Sequence, residues 1–569
     1  MGAAPPDLFR RQAGMLVHWG PYGERLSTML ASPESADLCQ RLWGRDGTLW
    51  RDDARSASEI EHRLGWLDLP DSMRLEVTRL VALRHEVRAA GLNRAVLLGM
   101  GGSAIAAEVF AGCCGAQADG LALTVLDTTD PDEVRQALAE HDLARTLLVV
   151  ASKSGTTVEP LALVELFKAA MLAGPVGAAW PRHLVAITDA GSRLEALARR
   201  EGYRACYLNP PDVAGRYAPL SLFGLVPAAL LGVDLDRLLG SAKAMLAACA
   251  PYRPPRENPG LVLGTALGAL ARWPGEHRNK LTLLASPGLL PMAAWIEQLI
   301  AESTGKQRTG ILPLMGARLE QIPRLSEDRF YVYLRLSADA DPAQDALVAE
   351  LAARDQPVVT LELADLHDLG GEFVRWEYAT AVAGKLLGVN PFDQPDVDSA
   401  KRRAQGALAR YGLNGAFSEE PPVLEDERLM VHGPPLGGEQ TVADYLRAFL
   451  AQAAPGQYVA LLAYLPRTAE FVAGLAALRH EMAARTGVPT TLGFGPRYLH
   501  STGQYHKGGP NTGLFVVITA DRPEELPIPG RTYGLAALQM AQALGDCESL
   551  KARGRRVVRI HLRASPEAG

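Results

Sequence analysis

The sequence predicts an α/β fold with two three-layer αβα domains, each built on a parallel sheet. They lie between an N-terminal helical segment and a C-terminal α/β extension. Two observations support this. From residue 95 onward, short apolar runs alternate with helical patterns, which is typical of a parallel sheet covered by helices on both faces. The chain also has 569 residues, 48% of them hydrophobic, which is enough for several cores.

Residues 1–90 are predicted to be helical, because apolar positions recur at helical spacing in Ala57–Leu67 and Met73–Ala90. No run in this segment has the pattern of a strand. The first αβα domain is assigned to residues 91–235. Its predicted strands are Ala95–Leu98, Leu121–Leu126, Thr146–Ala151, Leu184–Thr188 and Ala205–Leu208.

The second αβα domain is assigned to residues 236–415, with strands expected at Leu281–Leu284, Phe330–Leu336 and Val358–Leu363. Proline and charge cluster at Glu419–Arg428, which suggests a linker. The extension, residues 416–569, repeats the alternation, with strands expected near Tyr458–Leu462, Leu514–Thr519 and Arg556–His561.

Composition excludes several classes of protein. The net charge of −6 gives no basic surface for nucleic acid or for an anionic membrane. The six cysteines form no CxxC pair and no metal-ligand spacing, so we expect reduced thiols in a cytoplasmic protein. The first residues lack the apolar stretch of a signal peptide, and no apolar run is long enough for a membrane span.

The first candidate site is the glycine cluster Gly101-Gly102-Ser103, between a predicted strand and a predicted helix. Glycines let the backbone approach a ligand, and amides at a helix start favour an anion. A tight turn without a ligand would use the same residues, so both interpretations stay open. The third glycine of a dinucleotide fingerprint is missing, which makes Asp127 weak support for ribose binding.

The second candidate site again lies between a strand and a helix. It carries four hydroxyls and a lysine, on Ser152, Lys153, Ser154, Thr156 and Thr157. Hydroxyls and backbone amides can hold a phosphate dianion, and a lysine adds positive charge. The spacing is not that of a P-loop. A helix N-cap would need only one hydroxyl, so the surplus favours a phosphate ligand.

These two segments and three later ones resemble the glucose-6-phosphate isomerase family. The five motifs span roughly residues 99–401 in the family order: the loop with Gly101–Ser103, then Ser152–Thr157, Ala214–Ser221, Ala301–Lys306 and Asn390–Lys401. Residues beyond 416 instead resemble the isomerase half of bifunctional transaldolase/glucose-6-phosphate isomerases, through Leu499–Gly513. We therefore expect that half standing alone, with two sugar-isomerase (SIS) domains.

The resemblance implies reversible isomerisation of glucose 6-phosphate to fructose 6-phosphate through a cis-enediol. Glu302 would be the base that moves the proton between C2 and C1. Arg216 would stabilise the enediolate, because a guanidinium stays protonated and donates in a fixed geometry. Lys401 would act at the ring oxygen or the C1 hydroxyl. Gln298, four residues before the base and on the same helix face, and Gln394 would contact the ligand.

Ring opening calls for a histidine, which ordinary members carry between the glutamate and the lysine. That interval holds only His367 here, in surroundings unlike the family's. His500 and His506 lie in the glycine-rich stretch of the extension. We favour His500, then His506, then His367, and expect the stretch to reach the cleft between the two αβα domains.

Two alternatives remain open at this point. One is a dual phosphoglucose/phosphomannose isomerase, although the serine–lysine–threonine loop is closer to dedicated glucose isomerases. The other is a sugar-phosphate-binding regulator without catalysis, which retention of the glutamate, arginine and lysine disfavours. The chemistry needs no cofactor and no metal. A small-molecule sugar phosphate is the expected partner, with no nucleic acid or membrane; a homodimer and a separate transaldolase stay open.

Overall fold

The computed structural model describes residues 8–273, 275, 277–316, 327–417, 419–438 and 440–564. These residues form three sheets, each with a parallel core. The mixed α/β fold class is thereby confirmed. None of the helices in these ranges has the length and apolar character needed to cross a membrane.

The N-terminal segment is mostly helical but not entirely so. Its helices are α1 (Gly23–Leu30), α2 (Pro33–Trp43), α3 (Ala54–Glu61), α4 (Leu69–Ser72) and α5 (Val77–Ala89). Contrary to expectation, it also contains strands β1 (Arg10–Gln12) and β2 (Met15–His18), which form a hairpin. In β2, Met15 and Val17 are the buried residues, and an alternation this short does not identify a strand from sequence. The partner of β2, residues 358–360, also lies far along the chain.

The first sheet is entirely parallel and has all five predicted strands. They are β3 (Arg94–Leu98), β4 (Ala122–Leu126), β5 (Thr146–Ala151), β6 (Leu184–Asp189) and β7 (Ala205–Asn209). The associated helices are α6 (Ile105–Cys113), α7 (Pro131–Glu140), α8 (Val158–Ala173), α9 (Arg193–Glu201) and α10 (Leu222–Leu231).

The strand order is β4-β3-β5-β6-β7, so the direction of winding reverses between β3 and β5. Crevices at such reversal points, at the carboxyl ends of the strands, are where open α/β sheets bind ligands. The glycine cluster follows β3 and the hydroxyl-rich loop follows β5. Both candidate segments therefore lie on the same edge of the sheet, as the sequence predicts.

The second sheet has the order β1-β2-β11-β10-β8-β9, with the N-terminal hairpin antiparallel at its edge. Its parallel strands are β8 (Lys280–Ala285), β9 (Leu312–Met315), β10 (Arg329–Leu336) and β11 (Val358–Leu363). The helices are α11 (Leu235–Ala248), α12 (Pro259–Arg272), α13 (Leu290–Thr304), α14 (Pro342–Ala353), α15 (Leu369–Leu387) and α16 (Pro395–Asn414).

The third sheet has the order β12-β13-β17-β16-β14-β15. Its strands are β12 (Leu424–Glu425), β13 (Leu429–His432), β14 (Tyr458–Ala463), β15 (Thr490–Phe494), β16 (Gly513–Ala520) and β17 (Arg556–Leu562). The helices are α17 (Val442–Leu450), α18 (Ala469–Thr486), α19 (Gly503–Gly508) and α20 (Leu535–Ala552). We call this unit, residues 424–562, the third domain.

The predicted linker at 419–428 is part of the third domain's edge. Strand β12 lies within it and pairs with β13. Its charges made it look solvated, but Glu419 forms an ion pair with Arg559, and Glu425 pairs with Arg563. With these charges paired, residues 424–425 form a short edge strand of the third sheet.

The hydrophobic cores join these units. One continuous core combines the N-terminal segment with one face of the first sheet and the second sheet. The opposite face of the first sheet is covered by its own helices and by Leu535 and Leu538 from α20. Helix α20 in turn lies so close to α16 that a Cβ at Gly545 would come within 2.6 Å of the Ala404 nitrogen. The third domain is thus packed against the first.

Candidate active site

Glu302 lies in the last turn of α13 and is 8% exposed. Its Oε1 is 3.3 Å from Nη1 of Arg216, and its Oε2 accepts a hydrogen bond of 3.3 Å from Nε2 of Gln298, one turn earlier. The predicted base, cation and amide therefore lie together, although Arg216 comes from a different part of the chain. Arg216 also tethers the helix, because its backbone carbonyl accepts a hydrogen bond from Trp295 Nε1.

The Arg216 guanidinium is held on every side. Nε donates to Ser303 Oγ at 2.7 Å, Nη1 to Gln394 Oε1 at 3.1 Å, and Nη2 to the carbonyls of Pro391 at 2.6 Å and Asp393 at 3.0 Å. Four acceptors fix a buried cation in one orientation. A cation fixed in this way can stabilise a developing negative charge without reorganising.

Lys306 is a further cation that the sequence reasoning left without a role. It is buried, donates to the Asn390 carbonyl, and forms an ion pair of 2.7 Å with Asp393. Burial, followed by repulsion from Arg216, lowers the pKa of Lys306 to about 7. Its position in the sequence could have indicated a role, because Lys306 lies four residues after Glu302 and within one of the five family motifs.

The glycine cluster brings three segments into contact. Gly101 has φ +56°, and a Cβ there would lie 2.8 Å from the His500 Cβ. A Cβ at Gly102 would lie 2.3 Å from the Gly215 carbonyl, next to Arg216. Ser103, which follows, is buried. These glycines are therefore needed for close backbone packing, which accounts for them with or without a ligand.

The hydroxyl-rich loop is preorganised by its own hydrogen bonds. Ser152 Oγ lies 2.9 Å from Thr157 Oγ1, and Ser154 Oγ lies 3.0 Å from Thr156 Oγ1. Thr157 occupies the N-cap position of α8 but its side chain caps no amide. Helix capping therefore does not explain these hydroxyls. Lys153 turns away from them and donates to Asp189 at 2.5 Å, so its charge is already paired.

The third domain brings His500 to this cleft. The His500 carbonyl accepts a hydrogen bond of 2.7 Å from Gln298 Nε2, and its ring Nε2 lies 3.2 Å from Oε1 of Glu159. The same Glu159 oxygen accepts a hydrogen bond of 2.8 Å from Gln542 on α20. Glu159 is not among the residues predicted from the sequence, although it lies two residues after the hydroxyl-rich loop.

Burial alone would raise the pKa of the Glu159 carboxyl. The hydrogen bond and charge of His500, together with the charge of Lys401, bring the net pKa below its ordinary value. Glu159 is therefore a carboxylate that can orient the His500 ring. The same effect places Lys401, which is exposed on α16, within electrostatic range of this pair.

The other two candidate histidines lie elsewhere. His506 is 1% exposed in the core of the third domain, where its Nδ1 is hydrogen-bonded to the Tyr458 hydroxyl at 2.9 Å. Burial lowers the pKa of His506 far below its usual value, so the ring is neutral. His367 is half-buried and bonded to Asp365 at 3.0 Å. In the described parts of the chain, neither histidine contacts Glu302, Arg216 or Gln298.

Comparisons with known proteins point to one family. The family model described as phosphoglucose isomerase matches residues 85–311. A probable glucose-6-phosphate isomerase of Natronomonas pharaonis is 32% identical over 361 residues, covering 58% of this chain and 81% of that protein. A glucose-6-phosphate isomerase of Thermus thermophilus is 31% identical over 388 residues, covering 61% of this chain and 90% of that protein.

Two solved structures share the fold. A hypothetical protein of Thermus thermophilus superposes with a TM-score of 0.59 and 27% identity, covering 68% of this chain and 97% of its own. A glucose-6-phosphate isomerase of Chlamydia trachomatis gives a TM-score of 0.57 at 20% identity, covering 74% of this chain and 93% of that protein.

Proposed function

The chain belongs to the glucose-6-phosphate isomerase family, and we propose that it interconverts glucose 6-phosphate and fructose 6-phosphate by enediol proton transfer. One observation carries the mechanism. Glu302 is held in a buried cleft 3.3 Å from a fully bonded guanidinium, with His500 reaching the same cleft through Gln298. A base, a fixed cation and a titratable ring are the three groups that this reaction needs.

In the proposed first step, the sugar ring opens. His500 donates a proton to the ring oxygen as the bond between C1 and the ring oxygen breaks, and Glu159 keeps the imidazole oriented through its hydrogen bond to the ring. The proton that the C1 hydroxyl loses as C1 becomes a carbonyl returns to His500 through solvent water, and Lys401, which is exposed on α16, assists at the ring oxygen or the C1 hydroxyl. The product of this step is the open-chain aldehyde.

In the second step, the Glu302 carboxylate removes the C2 proton and electrons shift toward the carbonyl oxygen, giving a cis-enediolate. Arg216 stabilises that oxygen. The same glutamate returns the proton to C1, while the O2 proton moves to O1, so atoms and charge balance. A single carboxylate can serve both carbons because they lie on one face of a cis-enediol.

The phosphate is assigned to the Ser152–Thr157 loop, and its hydroxyl pairs support this. These contacts are remote from C1 and C2, so they would bind the substrate and the transition state about equally. We further propose a cytoplasmic location, which the six free cysteines support.

The test is turnover of fructose 6-phosphate by purified protein, without added metal, coupled to oxidation of the glucose 6-phosphate formed. Glu302→Gln keeps the size of the side chain but cannot accept the proton, so kcat should fall by about 10² to 10⁴-fold. Glu140→Gln, an exposed glutamate on α7, is the matched control. Undiminished kcat in Glu302→Gln would exclude this base. A parallel assay with mannose 6-phosphate as the substrate tests for dual specificity.

A further inference from the structure

A cavity of about 470 Å³ opens beside the Arg216 cleft. The Asn390–Pro395 loop forms one of its walls. Pro211 contributes to a second. The third is formed by residues at the end of α3 and in the turn after it: Ser58, Glu59, His62 and Arg63. None of these residues belongs to the hydroxyl-rich loop or to α13.

Two of the walls are tied to the charged groups of the candidate site. Arg216 donates to Gln394 and to the Pro391 and Asp393 carbonyls from behind the first wall. On the second wall, the Pro211 carbonyl accepts a hydrogen bond of 3.1 Å from Lys153. Hydrogen bonds therefore link two walls of the cavity to the loop assigned to phosphate and to the cation assigned to the enediolate.

Arg63 supplies unpaired positive charge to the third wall. Among the described residues its exposed side chain has no hydrogen bond and no ion pair, whereas the acids of the cavity are matched: Glu59 by Arg55 at 3.3 Å and Asp393 by Lys306. Burial raises the pKa of Asp189, and the charges of Lys153 and Arg63 oppose that rise. Arg63 thus lies within electrostatic range of the Lys153–Asp189 pair.

The position of Arg63 is set by packing. The Gly65 amide donates to the Asp212 carbonyl at 3.1 Å, and Leu64 forms a β-bridge with Val213. A Cβ at Gly65 would lie 2.3 Å from the Asp212 carboxylate, so a larger residue here would displace that side chain. The turn that carries Arg63 is therefore fixed to the segment that leads into Arg216.

We propose that Arg63 forms an entry subsite that captures the phosphate dianion of the incoming sugar phosphate before it reaches the Ser152–Thr157 loop. A cation at the mouth of a cleft raises the local concentration of an anionic ligand and its association rate. His62, beside it on the same wall, has its Nδ1 bonded to the Ser58 carbonyl at 2.7 Å. This inference rests on the proposed function.

The experiment compares Arg63→Gln with wild type at low and high ionic strength. At low salt, kcat/KM for fructose 6-phosphate should fall by about threefold to tenfold with kcat unchanged, and the gap should close at high salt, because exposed charges are screened. Arg63→Lys should retain most of kcat/KM. Arg74→Gln, which removes an exposed arginine of the same N-terminal segment outside the three walls, should behave as wild type.

Calorimetric titration with inorganic phosphate gives a readout that needs no turnover. Arg63→Gln should bind phosphate about threefold or more weakly than wild type and than Arg74→Gln. Equal phosphate affinity, or a kcat/KM at low salt equal to that of wild type, would overturn the entry subsite while leaving the isomerase intact. Absence of any turnover in wild type would instead refute the proposed function, and the phosphate titration would still decide the role of Arg63.

Discussion

Three arginines connect the third domain to the first. Arg467, Arg497 and Arg522 follow β14, β15 and β16, and their acidic partners lie on α6 or at 127–133, after β4. At the centre, Asp127 is 3% exposed and lies 2.7 Å from Arg467 and 2.8 Å from Arg497. Arg497 is three residues before His500, so this network also anchors the histidine.

Asp127→Asn should weaken the attachment of the third domain. Removing one partner of a buried ion pair costs about 3–5 kcal/mol, since it leaves uncompensated buried charge. Here each arginine keeps a second carboxylate, Glu133 for Arg467 and Glu108 for Arg497. We therefore expect the lower end, about 3 kcal/mol of lost stability. Turnover of the cyclic sugar should also fall, because His500 is less firmly held.

The chain offers two probes that separate its domains. All eight tryptophans lie between Trp19 and Trp376, outside the third domain. Urea unfolding followed by far-UV circular dichroism reports all three domains, whereas tryptophan fluorescence reports the other two. In Asp127→Asn the dichroism signal should begin to fall at lower urea than the fluorescence signal.

The matched control is Asp119→Asn, which removes an exposed acid from the same domain. A surface change of this kind should alter stability by less than about 0.5 kcal/mol. If Asp127→Asn unfolds at the same urea concentration as Asp119→Asn by circular dichroism, the ion network does not hold the third domain and the reasoning is refuted.

Three further outcomes are expected. His500→Ala should slow turnover of cyclic glucose 6-phosphate while C2-proton exchange in an open-chain analogue persists; equal slowing of both would remove it from ring opening. The double change Ser152→Ala and Thr157→Ala should raise KM more than it lowers kcat, and steady-state kinetics showing an unchanged KM would place the phosphate elsewhere. The depressed pKa of His506 means that below about pH 6.5 only the unfolded chain takes up this proton, so wild type loses stability as pH falls. In urea titrations, the free energy of unfolding of wild type should exceed that of His506→Gln by less below that pH than above it. A difference that stays constant with pH would contradict a neutral core histidine.

Strands with a long buried run were predicted well, whereas the short buried strand β9 was missed. Strand β5 is buried at all six positions, and its predicted bounds match those in the structure. Strand β15 was missed, because all five of its residues, including a glycine, are only half-buried and give no apolar run. Helix α10 was missed for the opposite reason: it is buried at all ten positions, so it shows no helical periodicity.

The candidate site shows a different limit. Arg216 and Glu302 are far apart in sequence, and only the family resemblance, not spacing, could pair them. His500 and His506 lie in one polar stretch, yet one faces the cleft and the other enters an aromatic core. Composition cannot separate them, because the partners of the two rings, Glu159 for His500 and Tyr458 for His506, come from distant parts of the chain. The roles of these residues remain predictions.

The third domain repeats the strand order of the second. In both, four parallel strands follow the same 2-1-3-4 order, and a hairpin that precedes them in sequence lies antiparallel to the last strand. Such a sheet would offer a ligand crevice between β14 and β16, at their carboxyl ends. Here Arg467 and Arg522 follow those two strands and bind Asp127 and Asp130 of the first domain. The crevice is thus occupied by protein carboxylates. The edge of the sheet that could bind a ligand instead fixes the loop after β15, which carries His500 to the cleft.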